Sequence, residues 1–252
     1  MTGAPVLFVV ALVAQAVPSG WTMSAGPERF SFRDISRSGP PADASPVAWE
    51  GTGPSFAATY TREGLRRFHR INVDVAEASS FAYTGPLRSA AAAGSDHVLR
   101  IEGRYEYRRY FLDDLFTRGL DVGVGVQGIG RRLSFTRDTT VGGREEADTT
   151  AAIACSLGAR WHRSPRWSAE VAWVNGGALL RQHESQTGAG EFEHSEWGGG
   201  WLTDLALQGT VRLTAPWSLT VAYLRTGEGT ATSHNSYAFD RRRLVAGVTY
   251  AR

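Results

Sequence analysis

The sequence predicts an all-β chain that closes into an antiparallel, up-and-down transmembrane β-barrel of about 10 strands, within a range of about 8–12. Three observations carry this reading: a two-residue alternation of apolar and polar side chains, connections that alternate between short and long, and aromatic residues gathered at both strand ends. The alternation is clearest over 99–108, where Leu99, Ile101, Gly103, Tyr105 and Tyr107 share one face. Arg100, Glu102, Arg104, Glu106 and Arg108 share the other. Successive side chains of a strand point to opposite faces. A soluble sandwich buries its apolar face, whereas a transmembrane barrel turns that face to lipid and the charged face to the lumen.

The chain opens on an apolar run from Val6 to Ala14, followed by the A-x-A-like site Ala14-Gln15-Ala16. The run is too short for a membrane-spanning helix, which needs about 20 apolar residues. We read 1–16 as an export signal, although no Lys or Arg precedes the run. Residues 17–252 form a single barrel domain, a length that suits one all-β unit.

A faint first strand lies at 26–35 around Phe30-Ser31-Phe32, and a second at 55–62. Ile71, Val73 and Val75 then oppose Arg70, Asn72 and Asp74; the 99–108 strand follows. Leu120, Val122, Val124 and Val126 oppose Asp121, Gly123, Gly125 and Gln127. Ile153, Cys155, Leu157, Ala159 and Trp161 oppose Ser156, Gly158, Arg160 and His162. Trp167, Ala169, Val171 and Trp173 oppose Ser168 and Glu170, and Leu205, Leu207, Val211 and Leu213 oppose Asp204, Gln208, Thr210 and Arg212. Leu219, Val221 and Tyr223 precede the last strand, in which Leu244, Ala246, Val248 and Tyr250 oppose Arg243, Gly247 and Thr249.

Short links fall at 63–66, 113–118, 163–166 and 214–217, and long polar ones at 37–54, 82–96, 136–149, 182–199 and 226–237. Short turns on one rim and long loops on the other fit a transmembrane barrel and not a Greek-key sandwich. Trp161, Trp167 and Trp217 flank short turns, while Trp173, Trp197 and Trp201 lie toward the other rim, as two interfacial girdles require.

A net charge of +2 gives no case for a nucleic-acid partner. The basic residues are all arginine, and the single Cys155, set among apolar neighbours, leaves no internal disulfide framework.

The last strand, with hydrophobic residues at Leu244, Ala246 and Val248 and an aromatic end at Tyr250, resembles the C-terminal assembly signal of bacterial outer-membrane β-barrels. It departs from that pattern by running on to Ala251-Arg252. The resemblance implies that the barrel-assembly machinery reads these four residues. It also implies a bacterial outer-membrane location, periplasmic short turns and extracellular long loops. The partners it implies are outer-membrane lipid and lipopolysaccharide, around a monomer.

With the apolar faces on lipid, Asp74, Arg100, Glu102, Arg104, Glu106, Arg108, Asp121, Arg160, Glu170, Asp204, Arg212 and Arg243 point inward. A barrel of this size is narrow, so we expect these mixed charges to pair and fill the lumen, giving a structural or surface-interaction role with minor solute or ion passage. The alternative use of the same residues is a small ion-selective channel. Gly123, Gly125, Gly128 and Gly130 are read as making room for bulky lumen side chains. His69 and His162, beside short turns, are read as interfacial or lumen-capping.

An outer-membrane hydrolase of the protease or lipid A-modifying kind is the first competitor. Asp96, His97, Asp138, His234 and Asp240 fall near the long-loop rim, where an acid-poised His would act as general base. No catalytic motif accompanies them, so no catalytic residue is assigned. His183, Glu184, Glu191, Glu193, His194 and Glu196 share a loop but lack metal-ligand spacing, and no metal or cofactor is assigned. The run Arg241-Arg242-Arg243 reads either as a solvated end to the apolar band or as a site for lipopolysaccharide phosphates. A secreted, soluble lipid-binding barrel is the second competitor and requires the two faces to be exchanged.

Overall fold

The computed structural model describes residues 19–36, 47–63, 66–78, 81–84, 97–112, 119–137, 144–164, 166–187, 190–197, 200–231 and 235–251. The proposed signal segment 1–16, Asp96, Asp138 and His234 lie outside the described residues. So do the side chains of His183, Glu184, Glu191, Glu193, His194, Glu196 and Trp197.

Among the described residues, twelve strands make one sheet. They are β1 (Gly20–Ser36), β2 (Val47–Glu63), β3 (Arg67–Ala78), β4 (Phe81–Thr84), β5 (His97–Leu112), β6 (Leu120–Arg137), β7 (Arg144–Ser164), β8 (Trp167–Thr187), β9 (Gly190–Trp197), β10 (Gly200–Thr214), β11 (Trp217–Ala231) and β12 (Asn235–Ala251). Ten of them are staves of a closed antiparallel barrel, because β1 pairs with both β2 and β12. Closure leaves no unpaired edge in the wall, which is the condition for a sheet to cross lipid. The short strand β4 pairs with the beginning of β2 and β9 with the end of β8, so both lie on the long-loop side.

The staves run well past the alternating segments. The strand expected at 26–35 spans Gly20–Ser36, and the one expected at 55–62 begins at Val47. Much of the length expected as long loops at 136–149, 182–199 and 226–237 is paired strand in β6 to β9, β11 and β12. The backbone hydrogen bonds of the sheet continue beyond the point where the outer face stops being apolar. Alternation therefore marks only the length whose outer face is apolar.

Along that length the faces fall as lipid would demand. Ile71, Val73, Val75, Val124, Val126, Ile153, Leu157, Leu205, Leu207, Leu219, Val221, Leu244 and Val248 all project outward and exposed. Cys155 faces outward with them. The exchanged-face reading fails on this point, since the interior at the same height holds the charged groups, beside one small apolar cluster of Ile129, Ala152, Ala154, Val174 and Leu202. Aromatic rings collect at the short-turn end: Trp21 packs against Tyr60 at 5.1 Å and Trp217 against Tyr250 at 5.0 Å between centroids. Trp173 and Trp201 face outward nearer the other end.

Toward the long-loop end the polarity of the faces reverses. Phe30, Phe32, Ala78, Val98, Leu133, Phe135, Tyr237 and Phe239 form a buried cluster inside the barrel. Their outward neighbours Arg29, Arg132, Thr136 and Ala238 are exposed. Phe32 lies 5.2 Å from both Phe135 and Tyr237, which joins three staves across the bore. This part of the barrel is built like a soluble protein, with an apolar core and a polar surface.

Candidate functional site

The interior below the aromatic cluster is filled by layers of guanidinium and carboxylate groups. In the layer nearest the cluster, Arg131 donates to Glu228 at 2.8 Å and to the Tyr237 hydroxyl at 2.7 Å. The Tyr237 hydroxyl in turn donates to Glu228 at 2.7 Å. The Arg131 guanidinium also lies 4.0 Å from the Phe239 ring centre, a cation–π contact. Arg181 sits beside this group, bonded to Asp148 at 2.8 Å and 4.2 Å from the Tyr237 ring centre.

The central layer holds four guanidinium groups, from Arg100, Arg104, Arg241 and Arg243, and four carboxylates, from Glu28, Asp74, Glu102 and Asp204. Arg100 grips Glu28 through two parallel bonds of 2.6 and 2.7 Å and also pairs with Asp74. Arg241 reaches Glu102 at 3.0 Å, and Arg243 reaches Asp74 at 3.1 Å. Arg104 pairs with Glu102 on its own strand and with Asp204 on β10, across the bore. Thr226 accepts from both Arg104 and Arg241 at 3.2 Å. Charges thus balance within the layer, which is how a low-dielectric interior tolerates ions.

A lower layer stands nearer the short turns. Glu170 of β8 accepts from Arg70 of β3 at 2.8 Å and from Arg108 of β5 at 2.9 Å. Arg108 pairs as well with Glu106, and Arg160 joins Glu63 of β2 to Asp121 of β6, the latter at 2.9 Å. His162 lies 3.6 Å from the same Asp121 carboxylate. Gly158 is part of this design: a side chain there would collide with the Arg108 guanidinium.

Between the central and lower layers is a chamber of about 130 Å³. Hydroxyls line one side of it in a row, with Thr22 to Thr249 at 2.8 Å, Thr249 to Thr220 at 3.0 Å and Thr220 to Thr210 at 3.3 Å. Gln127 Oε1, also on the lining, is buried without a hydrogen-bond partner among the described residues. A chamber with these walls is suited to water or a small polar solute.

Of the residues that alternation points inward, Asp74, Arg100, Glu102, Arg104, Glu106, Arg108, Asp121, Arg160, Glu170, Asp204 and Arg243 all lie in these two layers. Arg212 does not. It is exposed near the short-turn end of β10, where the register with β11 shifts and its backbone N–H donates to the Arg166 carbonyl. Sequence reasoning also missed Glu28, Glu63, Arg70, Arg131, Glu228 and Arg241. Arg70 stood on the polar face of its strand, but the others lie where alternation fades into turns or the aromatic region. The Arg241–Arg243 run is neither a single patch nor solvated throughout, because Arg241 and Arg243 turn inward and Arg242 outward. Gly128 and Gly130 face outward into open space and make no room in the lumen, whereas Gly123 faces inward beside the Tyr110 ring.

Leu244, Ala246, Val248 and Tyr250 face outward on β12, in the apolar belt. His69 bonds the Tyr105 hydroxyl at 2.9 Å on the barrel exterior. His97 pairs with Glu77 at 3.3 Å, both well exposed. Among the described residues no group of three or more His, Cys, Asp or Glu is placed to hold a metal.

No protein-family model and no curated protein sequence matches the chain. Among solved structures, the outer-membrane protease OmpT of Escherichia coli is similar with a TM-score of 0.67 at 7% identity, covering 97% of this chain and 99% of that one. An outer-membrane channel from Pseudomonas putida F1 gives 0.40 at 8% identity over 99% of this chain and 100% of its own. The translocator domain of the autotransporter NalP from Neisseria meningitidis gives 0.41 at 9% identity over 92% and 89%. The first likeness establishes the fold: this is a bacterial outer-membrane-type β-barrel of ten staves. That fold hosts unrelated functions, so function has to be argued from the bore.

Proposed function

We propose that the chain is a bacterial outer-membrane protein whose lumen is held shut by its arginine–carboxylate layers. Its role in this reading is structural or surface-interactive, carried by the hairpins on the long-loop side. The observation that supports it most is the set of ion pairs joining opposite walls: Arg104 to Asp204, Arg70 and Arg108 to Glu170, and Arg160 to Glu63. A solute crossing the bore would have to part such pairs. Removing one partner of a buried pair costs about 3–5 kcal/mol, so passage would be rare and small in scale.

The short turns then lie in the periplasm and the hairpins at the cell surface. Outer-membrane lipid and lipopolysaccharide surround a monomer, and the barrel-assembly machinery reads Leu244, Ala246, Val248 and Tyr250. The hydroxyl-lined chamber supports a secondary role in minor solute or ion passage.

Fractionation and vesicle swelling test this reading together. The native chain is expected in the outer-membrane fraction, with heat-modifiable migration in detergent gels. Purified and inserted into vesicles, it is expected to let small sugars through no faster than empty vesicles do. Swelling at porin-like rates would contradict the closed lumen, and recovery in the soluble fraction would contradict the location.

A further inference from the structure

The register of the sheet assembles a basic patch that no stretch of sequence contains. Arg29 of β1 lies opposite Arg242 of β12, and Arg242 lies opposite Arg225 of β11. All three point outward, with side chains 67%, 56% and 53% exposed. Arg33, two outward positions further along β1 beyond Ser31, is also exposed. Like charges directly opposite one another on adjacent strands repel, so three in a row is an arrangement the fold alone does not favour. Among the described residues, two carboxylates come near. Glu50 is 3.4 Å from Arg29, and the single Asp240 is shared between Arg225 and Arg242 at 3.5 Å each. Guanidinium groups therefore outnumber carboxylates here, in contrast to the balanced central layer behind the same strands.

The position of the patch matters as much as its charge. Arg242 and Arg225 stand immediately beyond Leu244 and Tyr223 on the outward face, and Met23 lies further down β1 in the same belt. The patch thus meets the polar edge of the lipid-facing surface on the long-loop side. A guanidinium offers a phosphate two parallel hydrogen bonds, and strands about 4.8 Å apart space three such groups over roughly 10 Å.

We propose that Arg29, Arg225 and Arg242 form a binding site for the phosphorylated headgroup of a glycolipid of the lipopolysaccharide type. Its acyl chains lie along the apolar belt below. The ligand is a membrane lipid and not free phosphate, because the patch is continuous with a surface that only acyl chains would cover. The inference rests on the membrane reading of the barrel.

The test is a titration of the folded protein, in neutral detergent micelles, with lipopolysaccharide, with the same glycolipid stripped of its phosphates, and with inorganic phosphate as competitor. The triple variant Arg29→Gln, Arg225→Gln, Arg242→Gln alters only exposed side chains, and the single Arg242→Gln change serves as a milder second variant. Folding of each is checked by heat-modifiable migration, and insertion by flotation with phosphatidylcholine vesicles. Affinity is expected to fall about tenfold or more in the triple variant, less in the single one, and about as much when the phosphates are removed. Equal binding by the wild type and both folded variants would overturn the site, as would indifference to the glycolipid phosphates. Inorganic phosphate displacing the glycolipid at equal concentration would overturn the lipid assignment. A wild-type chain that does not insert into vesicles would overturn the membrane reading and the site together.

Discussion

The two ends of the same strands obey opposite rules. On β12, Leu244, Ala246, Val248 and Tyr250 face outward while Arg243 turns inward; a few residues earlier Phe239 and Tyr237 are buried inside and Arg242 is exposed. On β1, Trp21 and Met23 face outward, yet Phe30 and Phe32 lie inside behind exposed Arg29 and Arg33. On β6, Val124 and Val126 face outward, and Leu133 and Phe135 inward. The two-residue period never changes along these strands; only its phase does. Lipid outside selects apolar side chains outward and leaves the bore to paired charges. Water outside selects the reverse and seals the bore with an aromatic cluster. In the membrane reading, the position of the phase switch on these three strands marks the membrane edge.

Perturbing each side of the switch should give effects of different size. The largest is expected from Arg104→Leu, which leaves Glu102 and Asp204 without their shared partner inside the bore. Denaturant unfolding of the vesicle-inserted protein should show a loss of about 3–5 kcal/mol. A loss below about 1 kcal/mol, the range of an exposed pair, would mean that water already fills that layer.

A charge placed on the lipid side comes next. Ile153→Arg, in the outward belt, should cost about 2–4 kcal/mol if it lies near the bilayer midplane. No measurable cost in the same assay would place β7 outside lipid.

One substitution on both sides of the switch sharpens the contrast further. Leu133 is 1% exposed in the aromatic cluster, whereas Leu157 is 46% exposed in the belt. Leu133→Ala should lose about 2–5 kcal/mol, because a cavity remains in a packed core. Leu157→Ala should lose only the transfer part, about 1.5–3 kcal/mol, because lipid closes over the gap. Differential unfolding of the two variants, in the same vesicles, reads the cavity component directly; equal losses would count against a packed cluster.

The smallest effect is expected at the surface. Glu50→Gln removes a 3.4 Å pair with Arg29 in which both side chains are more than half exposed. It should shift stability by less than about 1 kcal/mol, and any shift should shrink as salt is added. A larger loss, independent of salt, would show that the Arg29 patch depends on this carboxylate.

The pattern that sequence reasoning reads best is the one lipid imposes. Residues 99–108 alternate without interruption because β5 presents an apolar outer face on one side and paired ions on the other, so both faces of that strand were legible. The aromatic region was not, since Phe30 and Phe32, Leu133 and Phe135, and Tyr237 and Phe239 are pairs only two residues apart, too short to declare which face they occupy. The partners of the inward arginines were equally hidden. Glu28, Glu63 and Asp204 approach Arg100, Arg160 and Arg104 only once ten staves close into a ring. The Arg29, Arg242 and Arg225 row has the same origin, as it exists only in the register between three strands.

The closed bore is tested most directly by recording from the refolded wild-type protein in planar bilayers. Stable insertion without discrete conductance steps is the result predicted by layers that join opposite walls. Discrete, ion-selective steps from the wild-type chain would contradict it and make the same arginines and carboxylates the lining of a pore.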